Sequence, residues 1–285
     1  MKRKLIKNET RDEERAYYAS FDCDFENITI SGPADGESAW KESKNIIVKD
    51  SEMALRYPFW HVTNLRIENS EFADTCRAPL WYSTNIGMID CKIRGVKSYR
   101  ECNNIKINHS SIISEEPFWR VSDVKIKNSE IEGFYAFFQS KDIDLEKVKF
   151  KGKYSFQYTE NVEINDSELD TKDAFWHSKN VTVRNSIVKG EYLGWYSENL
   201  TLINCKITGT QPLCYAKGLK IIDCTMEGCD LAFEYSEVDA MIVGHISSIK
   251  NPLKGKIICE KCETLIIDEH DRSGGEVELL EINKN

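Results

Sequence analysis

The sequence predicts an all-β fold, a right-handed, single-stranded parallel β-helix, and three observations lead to it. The segments "FWHSKNVTVRNS" (175–186) and "GWYSENLTLINC" (194–205) resemble each other at an interval of 19 residues. A polar anchor residue recurs at nearly that interval along most of the chain. Apolar and polar residues alternate after each anchor, which is typical of β-strands. Short units that bury their apolar faces only by stacking on neighbours form a solenoid.

The anchor is the residue that precedes the alternating segment, as in "NVTV" and "NLTL". Its spacings are 18, 19 and 21 residues and then 19 seven times, which predicts about eleven coils of 19 residues. A left-handed hexapeptide helix would show a sub-period of about six residues, which this chain lacks, so right-handed winding is favoured. The anchors are Asn27, Asn45, Asn64, Asn85, Asn104, Asp123, Asp142, Asn161, Asn180, Asn199 and Gly218.

Five columns of the repeat are predicted to face the core, because they hold apolar or small residues in nearly every coil. They lie one, three, six and eight residues after the anchor and five residues before it. A leucine-rich repeat would need leucine two residues before the anchor, where this chain has residues such as Ser43, Ser83 and Ser140. Each coil therefore carries three short strand-like pieces separated by polar corners.

We expect a single domain over residues 1–285. Residues 1–26 are predicted to form an N-terminal cap and first partial coil, and residues 27–237 the regular coils. Residues 238–285 are predicted to form irregular C-terminal coils and a cap, with a turn at Gly274 and Gly275. Such ends need covering, because a solenoid leaves unpaired backbone at both of them. The C-terminal segment either closes the core or contacts a second copy.

Charge and apolar content limit the classes of partner that the protein is expected to bind. The formal net charge of −9 argues against nucleic acid and membrane surfaces, which attract clustered Lys and Arg. No apolar run approaches the roughly 18 residues of a membrane span, and the first residues do not resemble a signal peptide. We therefore expect a cytoplasmic protein whose ten cysteines are reduced. Neutral sugars and cationic ligands fit this charge better.

The coil "KNVTVRNSIVKGEYLGWYS", the early loop "DGES" and the late segment "DLAFEYS" resemble an uncharacterised bacterial family of right-handed parallel β-helices of the pectin-lyase-like superfold. The resemblance covers essentially the whole chain. It implies the fold only, since the family has no established activity and a fold does not determine a function.

Aromatic and charged residues occupy the columns three and four residues before the anchor. A column that contains Lys41, Arg100 and Gln157 is hard to bury, so we place both columns outside. Flat rings pack against sugar C–H groups while polar groups bond hydroxyls, which predicts carbohydrate binding and, as an extension, carbohydrate processing. The predicted ligand-binding residues are Trp60, His61, Trp81, Tyr82, Trp119, Trp176, His177, Trp195 and Tyr196.

Two alternatives compete with this carbohydrate surface. Stacked aromatic residues at equivalent positions stiffen a solenoid without any ligand. An exposed aromatic stripe also suits a noncatalytic scaffold that contacts a protein or forms a homo-oligomer.

Arg100, Glu101 and Arg120 form the densest charged group of the stripe and are the candidate catalytic residues. His61 lies two coils away. An enzyme built on them would be a polysaccharide lyase or a glycoside hydrolase, because lyases of this superfold typically use a basic residue, often with calcium, and glycosidases use paired carboxylates. The alternative is an ordinary surface ion-pair cluster.

Other motifs carry weaker signals. Asp35 and Glu37 in "PADGESAWKES" are candidates for a divalent cation, although such turns are usually solvated. No resident cofactor or metal is predicted otherwise. Cys259 and Cys262 have metal-ligand spacing, but a single pair is weak support for zinc or redox chemistry. "GHISSIKN" lacks the second glycine of the polygalacturonase motif, so His245 receives no catalytic role.

Overall fold

The computed structural model describes residues 3–268 and 276–282, and every regular element in these ranges is a β-strand. The chain divides into two compact units, the first ending at Asp144 and the second beginning at Leu145. No described segment is a helix with the length and apolar character needed to cross a membrane. The turn predicted at Gly274 and Gly275 lies outside the described residues.

The first unit alternates longer strands, which begin near the anchors, with shorter ones. Its strands are β1 (Lys4–Arg11), β2 (Phe21–Ile30), β3 (Lys44–Lys49), β4 (Glu52–Met53), β5 (Phe59–Trp60), β6 (Thr63–Glu68), β7 (Glu71–Phe72), β8 (Leu80–Trp81), β9 (Thr84–Ile89), β10 (Lys92–Ile93), β11 (Asn103–Asn108), β12 (Ser111–Ile113), β13 (Ser122–Lys127) and β14 (Glu130–Phe134). Strand β15 (Lys141–Glu146) contains the boundary between the units.

The second unit follows the same alternation. Its strands are β16 (Lys149–Lys153), β17 (Glu160–Asn165), β18 (Glu168–Lys172), β19 (Lys179–Arg184), β20 (Ile187–Lys189), β21 (Glu198–Ile203), β22 (Lys206–Thr208), β23 (Leu219–Thr225), β24 (Glu237–Val243), β25 (His245–Lys250), β26 (Lys254–Cys259), β27 (Lys261–Ile266) and β28 (Glu276–Glu281).

Strands of successive coils pair in parallel, which confirms the predicted parallel β-helix. Ile105 of β11 pairs with Val124 of β13, and Val162 of β17 pairs with Val181 of β19, each one repeat further along the chain. The described residues form about 14 turns rather than eleven. The extra turns arise because β1 stacks on β2 before the predicted coils begin, and β24, β26 and β28 continue the stack after them with irregular repeat lengths.

The prediction of Asn27 as the first anchor is wrong, because the structure places Asp22 at that position. Asn45 donates its side-chain amide to Asp22 Oδ1 at 3.0 Å, and Glu26 pairs with Lys49, so Asp22 is the true anchor of that coil. Asn27 lies instead five residues later within β2, with φ of 55°, and its side-chain amide donates to Asn8 Oδ1 at 2.8 Å. The loop between β2 and β3 lengthens this coil, and a fixed period therefore selects the wrong polar residue.

The anchor column is a corner in the left-handed region of φ. Asn64, Asn85 and Asn104 have φ of 58°, 56° and 52°. Asparagine tolerates this conformation better than other side chains do. Asn64 Nδ2 donates to Asn45 Oδ1 at 2.6 Å, and Asn85 Nδ2 donates to Asn64 Oδ1 at 2.7 Å. The recurrence of asparagine therefore reflects both the local backbone and a ladder of amide hydrogen bonds.

The predicted core columns are buried. The rings five residues before the anchor stack through the interior, with Phe118 at 4.7 Å from Tyr99 and 4.6 Å from Phe137. In the small-residue column, the hydroxyl of Ser70 accepts the backbone N–H of Ser51 at 3.1 Å. Serine is thus retained in the core because it satisfies a buried backbone donor of the preceding coil.

Candidate ligand-binding surface

The aromatic columns lie on one corner of the coil, where the backbone repeatedly takes left-handed φ. In one coil, Glu116, Phe118 and Arg120 have φ of 52°, 61° and 51°. Bulky residues rarely adopt this region, so the stacked neighbours must hold it in place. The alternation turns Phe118 into the core, leaves Trp119 half-buried and exposes Arg120.

The indoles four residues before the anchor are half-buried, whereas Trp40 is sealed in the core at 0% exposure. Trp60 and Trp81 stack at 5.7 Å, and Trp176 and Trp195 stack at 5.4 Å with an interplanar angle of 4°. The faces of these rings therefore meet each other, and their edges reach the surface. The sequence predicts open ring faces for sugar, but neighbouring coils lie close enough for the stacked rings to cover each other.

The column three residues before the anchor is more exposed and also stacked. In the first unit His61 and Tyr82 lie 5.1 Å apart. In the second unit a ladder of five rings runs through successive coils, with centroid separations of 5.0, 4.9, 4.8 and 5.6 Å. Its members are Tyr158, His177, Tyr196, Tyr215 and Tyr235. Here too the ring edges, not the faces, meet the solvent.

The three candidate catalytic residues do not form one constellation. Arg120 Nη2 binds Glu101 Oε1 at 3.0 Å. Arg100 turns away from that pair, stacking its guanidinium 4.8 Å above the Trp119 ring and placing Nη1 3.7 Å from Glu116 Oε2. His61 packs on Tyr82 instead of joining this group.

Sequence reasoning missed the residues seven and eight positions before the anchor, which complete this corner. Lys97 Nζ lies 3.4 Å from Glu116 Oε2, and the indole N–H of Trp119 donates to the carbonyl of Tyr135 at 2.8 Å. Phe134 and Tyr135 are 47% and 40% exposed. A signal existed, because tyrosine recurs seven residues before the anchor at Tyr57, Tyr135, Tyr154 and Tyr192.

We call the corner residues of three successive coils, 97–101, 115–120 and 134–139, the Trp119 patch. Trp119 joins its parts, since Arg100 covers one side of the ring and Phe138 packs against it at 5.1 Å and 43°. The patch holds three basic and three acidic side chains, so its formal charge is balanced.

Buried polar atoms without a hydrogen bond concentrate on the same corner. Among the described residues seven such side-chain atoms occur, and all lie between Ser38 and Glu116. They are Ser38 Oγ, Trp40 Nε1, Arg56 Nε, Trp60 Nε1, Trp81 Nε1, Ser98 Oγ and Glu116 Oε2. Buried polar atoms in folded proteins are normally bonded to protein groups or to ordered water, so these seven atoms are available to a water molecule or to a ligand.

The acidic loop faces the guanidinium of Arg56, which lies in the next coil. Arg56 Nη2 lies 2.6 Å from Asp35 Oδ2 and 3.8 Å from Glu37 Oε2. Within residues 3–268 and 276–282, no group of three or more His, Cys, Asp or Glu side chains is arranged to hold a metal ion. Arg56 therefore supplies the positive charge that these two carboxylates face.

The cysteines are free thiols, nine buried and Cys262 half-buried. Burial raises the pKa of Cys259 to about 11. Cys91, Cys205 and Cys224 occupy the small-residue column of the core, as predicted, and Cys224 Sγ accepts the backbone N–H of Cys205 at 3.3 Å, as serine does elsewhere.

Comparison with known proteins identifies a family and several distant structural likenesses. The family described as "Protein of unknown function (DUF3737)" matches residues 4–280. No curated protein matches the chain. A double mutant of the periplasmic alginate epimerase AlgG is similar at 9% identity over 90% of this chain and 77% of that one, with a TM-score of 0.33. PfbA, a surface adhesin of Streptococcus pneumoniae, is similar at 9% identity over 92% and 81%, with a TM-score of 0.35.

A third similar structure is a mutant tailspike protein of E. coli bacteriophage HK620 in complex with a hexasaccharide. It is 8% identical over 96% of this chain and 71% of that one, with a TM-score of 0.37. Likeness at these identities and scores carries no argument about function.

Proposed function

The chain belongs to the family described as "Protein of unknown function (DUF3737)", and we propose that it binds a carbohydrate chain on the Trp119 patch without cleaving it. The observation that carries this proposal is the meeting of exposed rings and paired charges on one corner of three successive coils. Sugars present both C–H faces and hydroxyl groups, and a surface that offers rings beside donors and acceptors is suited to both.

The apolar part of the patch comes from its last coil. Phe134 and Tyr135 are neighbours in the sequence and are 47% and 40% exposed. Trp119 and Phe138 support them from the side, since the Trp119 indole bonds the Tyr135 carbonyl at 2.8 Å. The exposed parts of these two rings can therefore accept sugar C–H groups.

The polar part comes from the first two coils. Arg120, exposed and paired with Glu101, offers donors beside an acceptor. Glu116 Oε2 is ion-paired with Lys97 and Arg100 but has no hydrogen bond among the described residues. A ligand hydroxyl can donate to that oxygen, which would relieve an unsatisfied buried acceptor. Because the charges within the patch are balanced, this part of the surface favours the hydroxyl groups of a ligand.

Binding without turnover follows from how the acids are held. Glycosidases need one carboxyl group to donate a proton and a second to act as base or nucleophile. In the patch Glu101 is engaged by Arg120, and Glu116 by Lys97 and Arg100. Both carboxylates thus serve as ion-pair partners.

The test is a panel of neutral and acidic oligosaccharides, titrated while tryptophan fluorescence is recorded. We expect at least one glycan to bind, and Phe134→Ala and Tyr135→Ala each to weaken it at least fivefold because each removes a contact ring. Tyr135→Ala keeps the carbonyl that holds Trp119. Phe21→Ala is the matched control, since Phe21 is 58% exposed in the same unit but outside the patch.

Equal binding by the control and both patch variants would refute the assignment. If no glycan binds and light scattering shows an oligomer that Phe134→Ala dissociates, the scaffold interpretation replaces it. Incubation of a bound glycan with the wild type should release no product, and product formation lost in Glu101→Gln or Arg120→Ala would make the protein an enzyme after all.

A further inference from the structure

Two indole N–H groups near the start of the first unit lack the bond that their equivalents make. Trp119 Nε1, Trp176 Nε1 and Trp195 Nε1 each donate to a backbone carbonyl 16 residues further on, at 2.8, 2.6 and 2.8 Å. Trp60 Nε1 and Trp81 Nε1 are buried, and no described residue accepts a hydrogen bond from either. The difference between the two groups is a property of the local backbone.

The cause lies in the residue before each indole. Phe118 and Phe175, which precede bonded indoles, have φ of 61°. Phe59 and Leu80, which precede the unbonded ones, are extended and pair as strands β5 and β8. Trp60 and Trp81 are partners in neighbouring coils, and their rings stack with centroids 5.7 Å apart, so the two indoles lie next to each other on the corner.

The two unsatisfied indole groups, Trp60 Nε1 and Trp81 Nε1, are both donors. Lys41 adds a positive charge, with Nζ 4.2 Å from the Trp60 ring centroid. A hydroxyl group would bring its own proton, whereas a carboxylate brings only acceptors. A buried donor set of this kind is therefore matched by an anion.

Neighbouring acids do not cancel this preference. The carboxylates of the adjacent loop, Asp35 and Glu37, are both held by the terminal nitrogen of Arg56, at 2.6 and 3.8 Å.

Tyr57 covers the pair. Its ring centroid lies 6.2 Å from that of Trp60 and 5.9 Å from that of Trp81, tilted by 54° and 48°. Its φ of 52° is strained for a bulky side chain, and it follows a short irregular segment instead of a strand. Movement of this one side chain would open the edges of both indoles.

We infer that Trp60 and Trp81 form a subsite for a carboxylate group, covered by Tyr57, on the same corner as the Trp119 patch. This inference rests on the proposed function, and it deepens it by naming the ligand as a sugar that carries an acid. The hydroxyl groups of such a sugar chain face Glu116 and Arg120, and its carboxylate faces the indole pair.

The first test uses the wild type. The indole N–H signals of Trp60 and Trp81, assigned in nitrogen-15 NMR spectra with Trp60→Phe and Trp81→Phe, are followed during titration with acetate, galacturonate and galactose. Both signals are expected to move with galacturonate and to stay fixed with galactose. A shift with acetate as well shows that the carboxylate alone suffices. Fixed signals with both acids, or equal shifts with galactose, overturn the subsite.

The second test compares an acidic with a neutral trisaccharide of galactose type. The wild type is expected to bind the acidic one at least tenfold more tightly. Trp60→Phe with Trp81→Phe keeps the ring stack but removes both donors, and should abolish that preference. Trp195→Phe is the control, because the Trp195 N–H already has an acceptor. Tyr57→Ala should raise the association rate of the acidic ligand.

The outcomes separate the two proposals. Equal binding of both trisaccharides by the wild type overturns the subsite and leaves the Trp119 patch intact. Binding of neither trisaccharide, nor of any glycan of the panel, overturns the proposed function, while the monosaccharide titration still decides whether the indole pair binds a carboxylate.

Discussion

Asparagine at the anchor accommodates a left-handed backbone conformation and also forms hydrogen bonds with the neighbouring coils. Asn64 has φ of 58°, donates to Asn45 at 2.6 Å and accepts from Asn85 at 2.7 Å. A side chain without an amide loses the two ladder bonds, and most side chains are also strained in the left-handed region. Both effects are local, so they can be separated by substitution.

We predict that Asn64→Ala lowers the free energy of unfolding by about 2 kcal/mol, from left-handed strain of about 1 kcal/mol plus the lost amide bonds. Asn64→Gly removes the bonds but accepts the φ, so it should cost about half as much. Urea unfolding of the three proteins measures both values. Equal losses for Ala and Gly would show that φ plays no part.

Because several thiols are buried in the folded protein, its free energy of unfolding is expected to decrease at alkaline pH. Burial raises the pKa of Cys91 to about 11 and those of Cys102, Cys214 and Cys229 to about 12, from an ordinary value of 9.0. The unfolded chain therefore loses these protons first. Their contribution to stability is complete below pH 9 and declines as the pH rises towards the folded-state values.

We predict a lower free energy of unfolding at about pH 10.5 than at about pH 8, with a smaller decrease in Cys102→Ala, which removes one of these thiols. Alanine suits this column, since Ala216 occupies it in a later coil. Unfolding in urea at the two pH values gives the difference. An identical decrease in both proteins would exclude Cys102 as a contributor.

At the scale of the element, the ring ladder of the second unit is a structural feature in its own right. Tyr196 stacks on His177 at 4.9 Å and 6° and on Tyr215 at 4.8 Å and 14°. Aromatic pairs contribute roughly 0.5–1.5 kcal/mol beyond the area that they bury. The ladder therefore stabilises adjacent coils whether or not a ligand binds there.

We predict that Tyr196→Ala lowers the free energy of unfolding by about 1–3 kcal/mol, since two stacked pairs are lost. Tyr196→Phe keeps both and should change the value by less than about 0.5 kcal/mol. Urea unfolding compares the variants with the wild type. Similar losses for Ala and Phe would mean that the hydroxyl, and not the stack, stabilises the ladder.

The elements could be predicted from the sequence because strand alternation and the small-residue column repeat in every coil. Phe118 and Ser70 are buried as expected. The first coil could not be predicted from a fixed period, because its loop shifts the anchor from Asn27 to Asp22. The sequence alone suggests that the ring faces are open surface. Aligned repeats show which residues are neighbours in successive coils, but they do not show that stacking covers the faces of the rings.

Part of the candidate site could also be predicted. Arg120 and Glu101 were expected together and form an ion pair at 3.0 Å. Arg100 was expected with them, but stacking over the Trp119 ring and attraction to Glu116 draw it away. The exposed residue Phe134 could not be predicted as part of the site, because no residue type recurs in its column of the repeat.

At the scale of the whole molecule, the described residues form about 14 turns of similar build. In repeat architectures each unit contacts only its neighbours, so stability is roughly a sum of local terms. The corner, in contrast, changes its side chains from coil to coil. Binding is therefore expected at one stretch of the corner, where rings and paired charges coincide, and not uniformly along it.

The most direct test of this account is amide hydrogen exchange measured by mass spectrometry with and without a glycan that binds. We predict added protection in peptides that cover residues 97–101, 115–120 and 134–139, and no change in peptides that cover the ring ladder from Tyr158 to Tyr235. Protection confined to the ring ladder, with none in the Trp119 patch, would contradict the proposed function.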